Sequence, residues 1–265
     1  MRIVSGDIEL AAGVVGSGVP PLVLVHGYVG SQIDWAGVVD SLASRRRVVT
    51  FDHRGHGDST NVGEASAYTF DALVGDLETV IDQLGPAPIH LLGHSMGGVV
   101  AMRYALRHPE ALTSLILMDT AGETMGGIPI EAIDALAAVG RTSGMEAAAE
   151  IMVAFAAELG QHLDEDRKAQ ARVKFAKLDV EAIAAFGAEL NSYPPMLEAL
   201  AHLDMPTMVI VGENDTGLRD AADKLAATIP GATLVVIPDA GHSPQEDNPS
   251  AWLAAVETHL ERAAE

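Results

Sequence analysis

The chain has 265 residues, of which 48% are apolar, and 37 acidic side chains against 16 lysines and arginines give it a formal net charge of −21 at pH 7. Such a surface repels nucleic-acid phosphates and anionic lipid heads, so we expect neither nucleic acid nor a membrane as a partner. The sequence contains no cysteine, which excludes disulfides, thiolate metal ligands and a cysteine nucleophile.

The N-terminal residues carry acidic side chains, at Asp7 and Glu9, where a signal peptide would need an apolar core. No later stretch of the sequence approaches the ~18 to 20 consecutive apolar residues of a membrane span. We therefore expect a cytoplasmic protein.

Short apolar runs alternate with longer amphipathic stretches between residues 21 and 118. The runs show little polar alternation, which is typical of parallel strands buried on both faces. The stretches 70–84 and 96–108 follow such runs, and the first spaces its apolar residues by three or four positions, as helices do. The pattern predicts β-α-β units and hence a doubly wound, mostly parallel α/β sheet. The predicted strands lie in PLVLVHG, RVVTFDHRG, PIHLLGHS and LTSLILMD.

The pattern changes after Asp119. Residues 122–200 are rich in Ala, Glu, Met and Leu at helical spacing and contain no strand-like run, which predicts an all-helical insertion. The sheet pattern then resumes with PTMVIVGEND and ATLVVIPD, each followed by a predicted helix. We therefore expect residues 1–121 and 201–265 to form the core and residues 122–200 to form a cap, or lid, over it.

A candidate nucleophile lies in Gly93-His94-Ser95-Met96-Gly97, which fits G-x-S-x-G between a predicted strand and a predicted helix. Glycines two positions on either side of Ser95 allow a sharp turn that projects its Oγ from the sheet. The following helix directs its N-terminal amides at the same place and so favours a developing negative charge. These features predict a serine nucleophile.

A serine hydroxyl needs a base beside it, and a histidine base needs a carboxylate to orient it. His242 follows the last predicted strand, in a loop that can return over the sheet. Asp215 ends the preceding strand and completes the chain order Ser, Asp, His. Asp119, which ends another strand, and Asp239, close before His242, are the alternatives for the acid.

An acyl-transfer site also needs hydrogen-bond donors for the oxyanion. One candidate is the Met96 amide on the nucleophile turn, and the second is the Tyr28 amide in the glycine-rich loop after the first buried strand. We expect His26 in that loop to shape it through hydrogen bonds. The Tyr28 side chain is expected either to line the acyl pocket or to pack.

Substrate choice in this arrangement should depend on the inserted segment, whose candidate lining residues are apolar and suit an acyl chain or a small aromatic group. The same residues are also spaced to form the core of the insertion itself. The predicted pocket residues are Tyr28, Met125, Ile128, Met152, Phe155 and Phe186. The basic run 167–177 is either a solvated helix face or a clamp for a substrate carboxylate.

Five motifs, in order along the chain, resemble the α/β-hydrolase superfamily, in its serine-nucleophile branch with an inserted helical cap. They are LVHGYVGS, FDHRGHGDS, LLGHSMGG, VGENDT and AGHSPQEDNP. The resemblance implies an esterase, lipase or lactonase, and it implies that the turn from Asp52 to Ser59 supports the oxyanion loop. Haloalkane dehalogenases and epoxide hydrolases of this superfamily carry an aspartate nucleophile, so Ser95 argues against both.

We therefore expect a carboxylesterase-like hydrolase that cleaves a small to medium, largely apolar ester or lactone through an acyl-enzyme on Ser95. We expect no metal and no organic cofactor, and a small-molecule ester as the partner. The alternatives on the same fold are a carbon–carbon bond hydrolase, a perhydrolase or cofactor-free oxygenase, and an acyltransferase. A ligand receptor that retains the hydrolase shell is a further alternative, and the sequence also allows a homodimer.

Overall fold

The computed structural model describes residues 1–124, 129–158 and 164–264, apart from the side chains of residues 155–158. Its strands are β1 Arg2–Ser5, β2 Ile8–Val15, β3 Leu22–Val25, β4 Val48–Phe51, β5 Ile89–His94, β6 Leu112–Met118, β7 Thr207–Gly212 and β8 Thr233–Ile237. They form one sheet in the order β1-β2-β4-β3-β5-β6-β7-β8. The pairs β1–β2 and β2–β4 are antiparallel and all other neighbouring pairs are parallel, which confirms the predicted mostly parallel α/β sheet.

The helices of the described residues lie between these strands and at the C-terminal end. They are α1 Val39–Ala43, α2 Phe70–Asp82, α3 Met96–Arg107, α4 Ile130–Ser143, α5 Met145–Glu158, α6 Glu165–Ala176, α7 Val180–Leu190, α8 Leu197–Leu200, α9 Arg219–Thr228, α10 Pro244–Asp247 and α11 Pro249–Ala263. Short 3₁₀ helices span Gln32–Trp35, Ala65–Ala67 and Pro109–Ala111. Within the described ranges, no helix has both the length and the apolar character that crossing a membrane requires.

The parallel strands β3 to β7 are buried on both faces. On β3, for example, Val23 and Val25 belong to the core on one face, which α2, α3 and α9 cover. Leu22 and Leu24 belong to the core on the opposite face, which α1 and α11 cover. Apolar side chains are therefore needed at every position of this strand, and this explains the uninterrupted apolar run in the sequence.

The N-terminal hairpin of β1 and β2 is an element that the sequence patterns do not predict. β2 pairs with β4, so that Ala12 lies opposite Phe51, and it carries the sheet beyond its parallel part. Its sequence includes Ala11, Ala12 and Gly13, which have little intrinsic preference for strands. The extended conformation of these residues therefore depends on their pairing with β4, and their intrinsic preference contributes little.

The segment between β6 and β7 contains α4 to α8 and has an apolar cluster of its own. Six residues form that cluster: Leu136, Ala148, Ala149, Phe175, Leu178 and Ile183. The two ends of the segment meet, because the Met196 amide donates to the Gly122 carbonyl at 2.7 Å and the Tyr193 hydroxyl is 2.9 Å from the Ala121 carbonyl oxygen. Division of the chain into a core and a cap stays a prediction.

The strand order places a crevice at the carboxyl edge of the sheet. From β3 the chain moves to β4 on one side, and after α2 it returns to β5 on the other side of β3. The chain therefore leaves β3 and β5, which are neighbours, in opposite directions, and this defines a switch point in the topology. Open α/β sheets bind their ligands at the carboxyl ends of the strands at such a point. The loop after β3 contains Tyr28, and the turn after β5 contains Ser95.

Candidate active site

Ser95 occupies a strained turn between β5 and α3. Its φ of 53° and ψ of −118° lie where residues with a Cβ are rarely found. The turn also needs glycine nearby, because a methyl group on Gly97 would overlap with the carbonyl oxygens of Val25 and His26. The tight packing of α3 against the end of β3 therefore depends on this glycine.

The structure brings Ser95, His242 and Asp215 together, although they come from three separate loops. His242 Nε2 is 3.0 Å from Ser95 Oγ, and His242 Nδ1 is 2.7 Å from Asp215 Oδ2. Because the carboxylate can only accept at Nδ1, Nδ1 carries the proton and Nε2 is left to accept the serine proton. This arrangement has the geometry of a nucleophile, its base and an orienting acid.

The acid in this arrangement is favoured as an anion. Burial alone would raise the pKa of Asp215, but the hydrogen bond with His242 and the charge of that ring, together with smaller contributions from Asp119 and the Leu218 backbone, outweigh burial and lower the pKa. Of the two alternative acids, Asp239 has an exposed side chain and Asp119 is fully buried behind the site. Asp215 is thus the carboxylate that accepts the hydrogen bond from His242 Nδ1.

Two residues hold the His242 loop in place, and the sequence patterns assign neither of them a role. His94 Nε2 lies 2.7 Å from the His242 carbonyl oxygen and must donate to it, while Asp247 Oδ2 accepts from the Gly241 amide at 2.8 Å. Burial, and then the proximity of His242, lowers the pKa of His94 to about 3, so its ring is neutral. The backbone on each side of the His242 side chain is therefore fixed.

The amides of Tyr28 and Met96 are free to donate. Neither N–H has a hydrogen-bond acceptor within the described part of the chain. Met96 is the first residue of α3, where the helix leaves its amides without internal partners and where its dipole is positive. Two free donors beside the Ser95 turn are what a developing oxyanion needs.

The loop that carries Tyr28 is shaped by buried histidines. His26 Nε2 accepts from the His53 amide at 3.0 Å, so its Nδ1 carries the proton and donates to the Gly27 carbonyl at 2.8 Å. Burial and the nearby His56 lower the pKa of His26 well below its usual range, which keeps this ring neutral. His26 thus makes the hydrogen bonds expected of a residue that shapes the loop.

The charged turn after β4 supports the connection that follows β3, in which Tyr28 and Gln32 lie. Asp52 accepts hydrogen bonds from the Gln32 amide at 2.8 Å, from the Gln32 side chain at 2.9 Å and from the Asp58 amide at 2.9 Å. Arg54 makes two hydrogen bonds with the buried Asp76, at 2.7 and 2.8 Å. These side chains are occupied by structural contacts and make none with Ser95, His242 or Asp215.

Two of the predicted pocket residues pack against the apolar cluster between β6 and β7. Tyr28 is half-buried, and its hydroxyl donates to the Ile183 carbonyl at 2.7 Å, which ties the loop after β3 to α7. Met152 is also half-buried beside this cluster. A role in lining the pocket stays a prediction for both residues.

Phe186 has no exposed surface, and three rings surround it. Its centroid lies 5.5 Å from that of Tyr68, 5.8 Å from that of His56 and 6.4 Å from that of Phe70. Its surroundings are those of a core residue, where α7 packs against the loop after β4 and the start of α2. The remaining predicted pocket groups, Met125, Ile128 and the side chain of Phe155, lie outside the described residues.

Every lysine and arginine between β6 and β7 forms an ion pair with a carboxylate of the protein. The pairs are Arg141 with Glu181, Arg167 with Glu246 and Asp247, Lys168 with Glu165, Arg172 with Glu150, Lys174 with Asp34, and Lys177 with Asp58. The basic run 167–177 is therefore neither purely solvated nor a free clamp, because several of its charges contact carboxylates of the core.

One group of potential metal ligands occurs in the described ranges. Asp119, Asp215 and His242 each offer an atom within 4.8 Å of the others. Asp215 and His242 already bond each other, and His242 also bonds Ser95, so these contacts favour proton transfer over metal binding.

The chain is similar to several known hydrolases. The chain is 29% identical to the sn-1-specific diacylglycerol lipase ABHD11 of Mus musculus over 91% of this chain and 81% of that protein. It is 30% identical to a 2-hydroxy-6-oxononadienedioate/2-hydroxy-6-oxononatrienedioate hydrolase of Klebsiella pneumoniae, over 94% and 89% of the two chains. A thermophilic esterase of Thermogutta terrifontis superimposes with a TM-score of 0.84 and 30% identity, over 99% and 98% of the chains.

Residues 22–256 match the model of a family described as the alpha/beta hydrolase family. This match spans most of the sheet, the helical segment and all residues of the candidate site. The chain belongs to the alpha/beta hydrolase family.

Proposed function

We propose that this protein is a serine hydrolase that cleaves a neutral, largely apolar carboxylic ester or lactone through an acyl-enzyme on Ser95. The observation that carries this proposal is the unbroken hydrogen-bonded chain from Ser95 Oγ through His242 to Asp215, with contacts of 3.0 and 2.7 Å. The esterase and lipase among the similar proteins support the same reaction class.

Each group then has a defined role in the reaction. Ser95 Oγ attacks the substrate carbonyl while His242 Nε2 takes its proton, and Asp215 stabilises the imidazolium that results. The amides of Tyr28 and Met96 donate to the oxyanion. His242 then returns the proton to the leaving alcohol, and a water molecule repeats both steps on the acyl-enzyme to release the acid and restore Ser95.

The charges around the site support a neutral substrate. All cations between β6 and β7 are paired with protein carboxylates, so a substrate carboxylate would have to displace one of those partners. The net charge of −21 also opposes the approach of an anion. These observations weigh against a dianionic substrate such as the one in the name of the Klebsiella pneumoniae relative.

A carbon–carbon bond hydrolase is the second candidate function, because that relative is 30% identical over 94% of the chain. The same triad could serve it, and substrate tests separate the two. An ester hydrolase turns over p-nitrophenyl butyrate and simple lactones, whereas a carbon–carbon hydrolase prefers vinylogous diketones. Preference for a diketone by kcat/KM would replace our first proposal with the second.

Labelling and substitution of Ser95 test the acyl-enzyme directly. A fluorophosphonate probe should add one label per chain, and peptide mapping should place it on Ser95. Ser95→Ala should abolish labelling and lower kcat for p-nitrophenyl acetate and butyrate by at least ~10³-fold. Ser41→Ala, in the exposed part of α1, serves as the matched control and should keep both properties. Labelling of another residue, or retained activity in Ser95→Ala, would refute the proposal.

A further inference from the structure

Asp119 is a buried carboxyl group that the triad leaves unused. It directly follows β6, has no exposed surface, and has a φ of 44°, which is unusual for a residue other than glycine. Its amide donates to the Ile210 carbonyl at 2.9 Å, and its Oδ1 accepts from the Gly212 amide at 2.9 Å. The chain therefore fixes both the backbone and one oxygen of this residue.

The second oxygen, Asp119 Oδ2, has no hydrogen-bond donor in the described part of the chain. Yet Asp119, Asp215 and His242 approach one another within 4.8 Å. A buried carboxylate oxygen without a donor is costly, and two ionised carboxylates at this distance repel each other. A single proton shared by the two carboxyl groups gives the unpaired oxygen a hydrogen-bond partner and removes the repulsion between two negative charges.

The surroundings of the two carboxyl groups favour protonation of Asp119 over protonation of Asp215. Asp215 faces the donating ring of His242, which favours its anion, whereas Asp119 faces the carboxylates of Asp215 and, from α10, of Asp247. Burial, with a smaller contribution from those carboxylates, raises the pKa of Asp119 to about 9 despite the Gly212 hydrogen bond. Asp119 is therefore a neutral acid at neutral pH.

We propose that Asp119 is a positioning residue that, as a neutral carboxylic acid, donates a hydrogen bond from Oδ2 to the Asp215 carboxylate. The inference rests on the proposed triad. In this arrangement Asp215 receives one hydrogen bond from His242 and another from Asp119, so it cannot rotate away from the ring. The second bond also spreads the charge of Asp215, which moderates its attraction for the imidazolium and keeps His242 ready to accept the serine proton.

Infrared spectroscopy tests the protonation of Asp119 without any need for activity. The difference spectrum between the wild-type protein and Asp119→Asn at neutral pH should contain the C=O stretch of a protonated carboxyl group. That band should disappear as the pH rises through about 9. Its absence at neutral pH would overturn the inference, even if labelling of Ser95 had established the acyl-enzyme.

Kinetics of two Asp119 variants test what the hydrogen bond does. Asp119→Asn keeps an acceptor for Gly212 and a donor for Asp215, so it should retain most of kcat/KM for p-nitrophenyl butyrate. Asp119→Ala has no donor and should lose roughly 10- to 100-fold, the range expected for a hydrogen bond to a charged group. The acid limb of the pH–rate profile of Asp119→Ala should also move to higher pH. Without the hydrogen bond from residue 119, the negative charge of Asp215 is less delocalised and stabilises the imidazolium of His242 more strongly.

Asp239→Asn, an exposed aspartate in the His242 loop, is the matched control and should leave kcat/KM and the pH profile unchanged. A purely structural role for Asp119 would lower the amount of folded Asp119→Ala without moving the acid limb of its profile. The inference fails if that limb does not move, or if Asp119→Asn loses as much activity as Asp119→Ala.

Discussion

Ser95 and Asp119 have φ values of 53° and 44°, although neither is a glycine. Each directly follows one of two neighbouring parallel strands, and each conformation costs of order 1–3 kcal/mol. Neighbouring hydrogen bonds hold these conformations. The Ser95 carbonyl accepts from Thr120 Oγ1 at 2.7 Å and from the Gly98 amide at 2.9 Å, and the Asp119 amide donates to Ile210. Backbone strain thus occurs at the proposed nucleophile and at the residue proposed to position its acid.

The raised pKa of Asp119 should make stability depend on pH. Asp119 binds its proton up to about pH 9 in the folded protein but only up to its ordinary value of 3.8 when unfolded. Between these values the folded state holds more protons, so this residue lowers the free energy of unfolding as the pH rises. Asp119→Asn should therefore become more stable relative to wild type by up to about 1.4 kcal/mol per pH unit in that window.

Urea unfolding of wild type and Asp119→Asn across the window from about pH 4 to pH 9 measures this difference. Asp239→Asn is again the control, since its side chain is exposed, and its difference from wild type should stay small throughout. If the Asp119→Asn difference is constant with pH, or changes in the opposite direction, the residue is already ionised in the folded protein.

Helix α6 connects the segment between β6 and β7 to both loops of the candidate site. Lys174 forms a 2.6 Å ion pair with Asp34, which in turn accepts from the Ser31 amide in the loop after β3. Arg167 forms a 2.7 Å ion pair with Asp247, which accepts from the amide of Gly241 beside His242. One helix therefore contacts residues that support both the loop after β3 and the loop of His242.

Removal of Lys174 should be costly. Lys174→Met leaves Asp34 without its cation where only 8% of the carboxylate side chain is exposed, so we expect a loss of roughly 1–3 kcal/mol in the free energy of unfolding. We also expect a lower kcat for p-nitrophenyl butyrate, because the loop after β3 loses a support. Urea unfolding and steady-state kinetics measure the two effects.

Arg172→Met provides the matched control on the same helix. The Arg172–Glu150 pair has side-chain exposures of 44% and 58%, and exposed ion pairs contribute little to stability. Similar losses in the two variants would show that α6 responds to any change of charge, and the specific link through Asp34 would be refuted. Asp34→Asn in the Lys174→Met background should recover part of the lost stability, because it removes the unpaired charge.

The elements that sequence could predict are those whose side chains are buried on both faces. β3 to β7 appear as apolar runs because covering helices leave little of these strands in water. β8 is an edge strand and only partly buried, yet its run from Leu234 to Ile237 is apolar enough to be predicted. β1 and β2 lie at the end of the sheet, where Val4 is 66% exposed, so their pattern is weak. The 3₁₀ helix Gln32–Trp35 depends on a capping box between Ser31 and Asp34, and the hydrophobic pattern of the sequence does not indicate this helix.

At the scale of the whole molecule, the acidic surface should select against anionic substrates. With a net charge of −21 and every cation between β6 and β7 paired, an ester that carries a carboxylate meets repulsion on approach. We expect a lower kcat/KM for p-nitrophenyl hemisuccinate than for p-nitrophenyl butyrate. Added salt should raise the value for the hemisuccinate, because it screens the repulsion, and leave the butyrate value nearly unchanged.

Steady-state kinetics at several sodium chloride concentrations tests this expectation, with the uncharged butyrate ester as the control for general effects of salt. A higher kcat/KM for the hemisuccinate at low salt would contradict it. That result would mean that one of the paired cations leaves its carboxylate to bind the substrate, and it would favour the carbon–carbon hydrolase.

The candidate site could be predicted where each residue lies in a loop directly after a predicted strand. Ser95, Asp215 and His242 meet this condition, and the structure brings them together. The contact between His94 and the His242 carbonyl joins residues 148 positions apart, and no spacing rule connects them. The closeness of Asp119 to Asp215 likewise follows from the pairing of β6 with β7, which a single sequence does not specify residue by residue.

The closed ends of the segment between β6 and β7 have a consequence for how such proteins can diverge. Tyr193 and Met196 at its end are hydrogen-bonded to residues 121–123 at its start, so the chain leaves the sheet after β6 and returns to it before β7 at one short junction. Insertions, deletions or exchange of whole helices beyond that junction leave the β6–β7 pairing intact. We therefore expect related proteins to keep the groups of the candidate site while they diverge in substrate through this segment, as long as contacts such as Lys174–Asp34 are preserved.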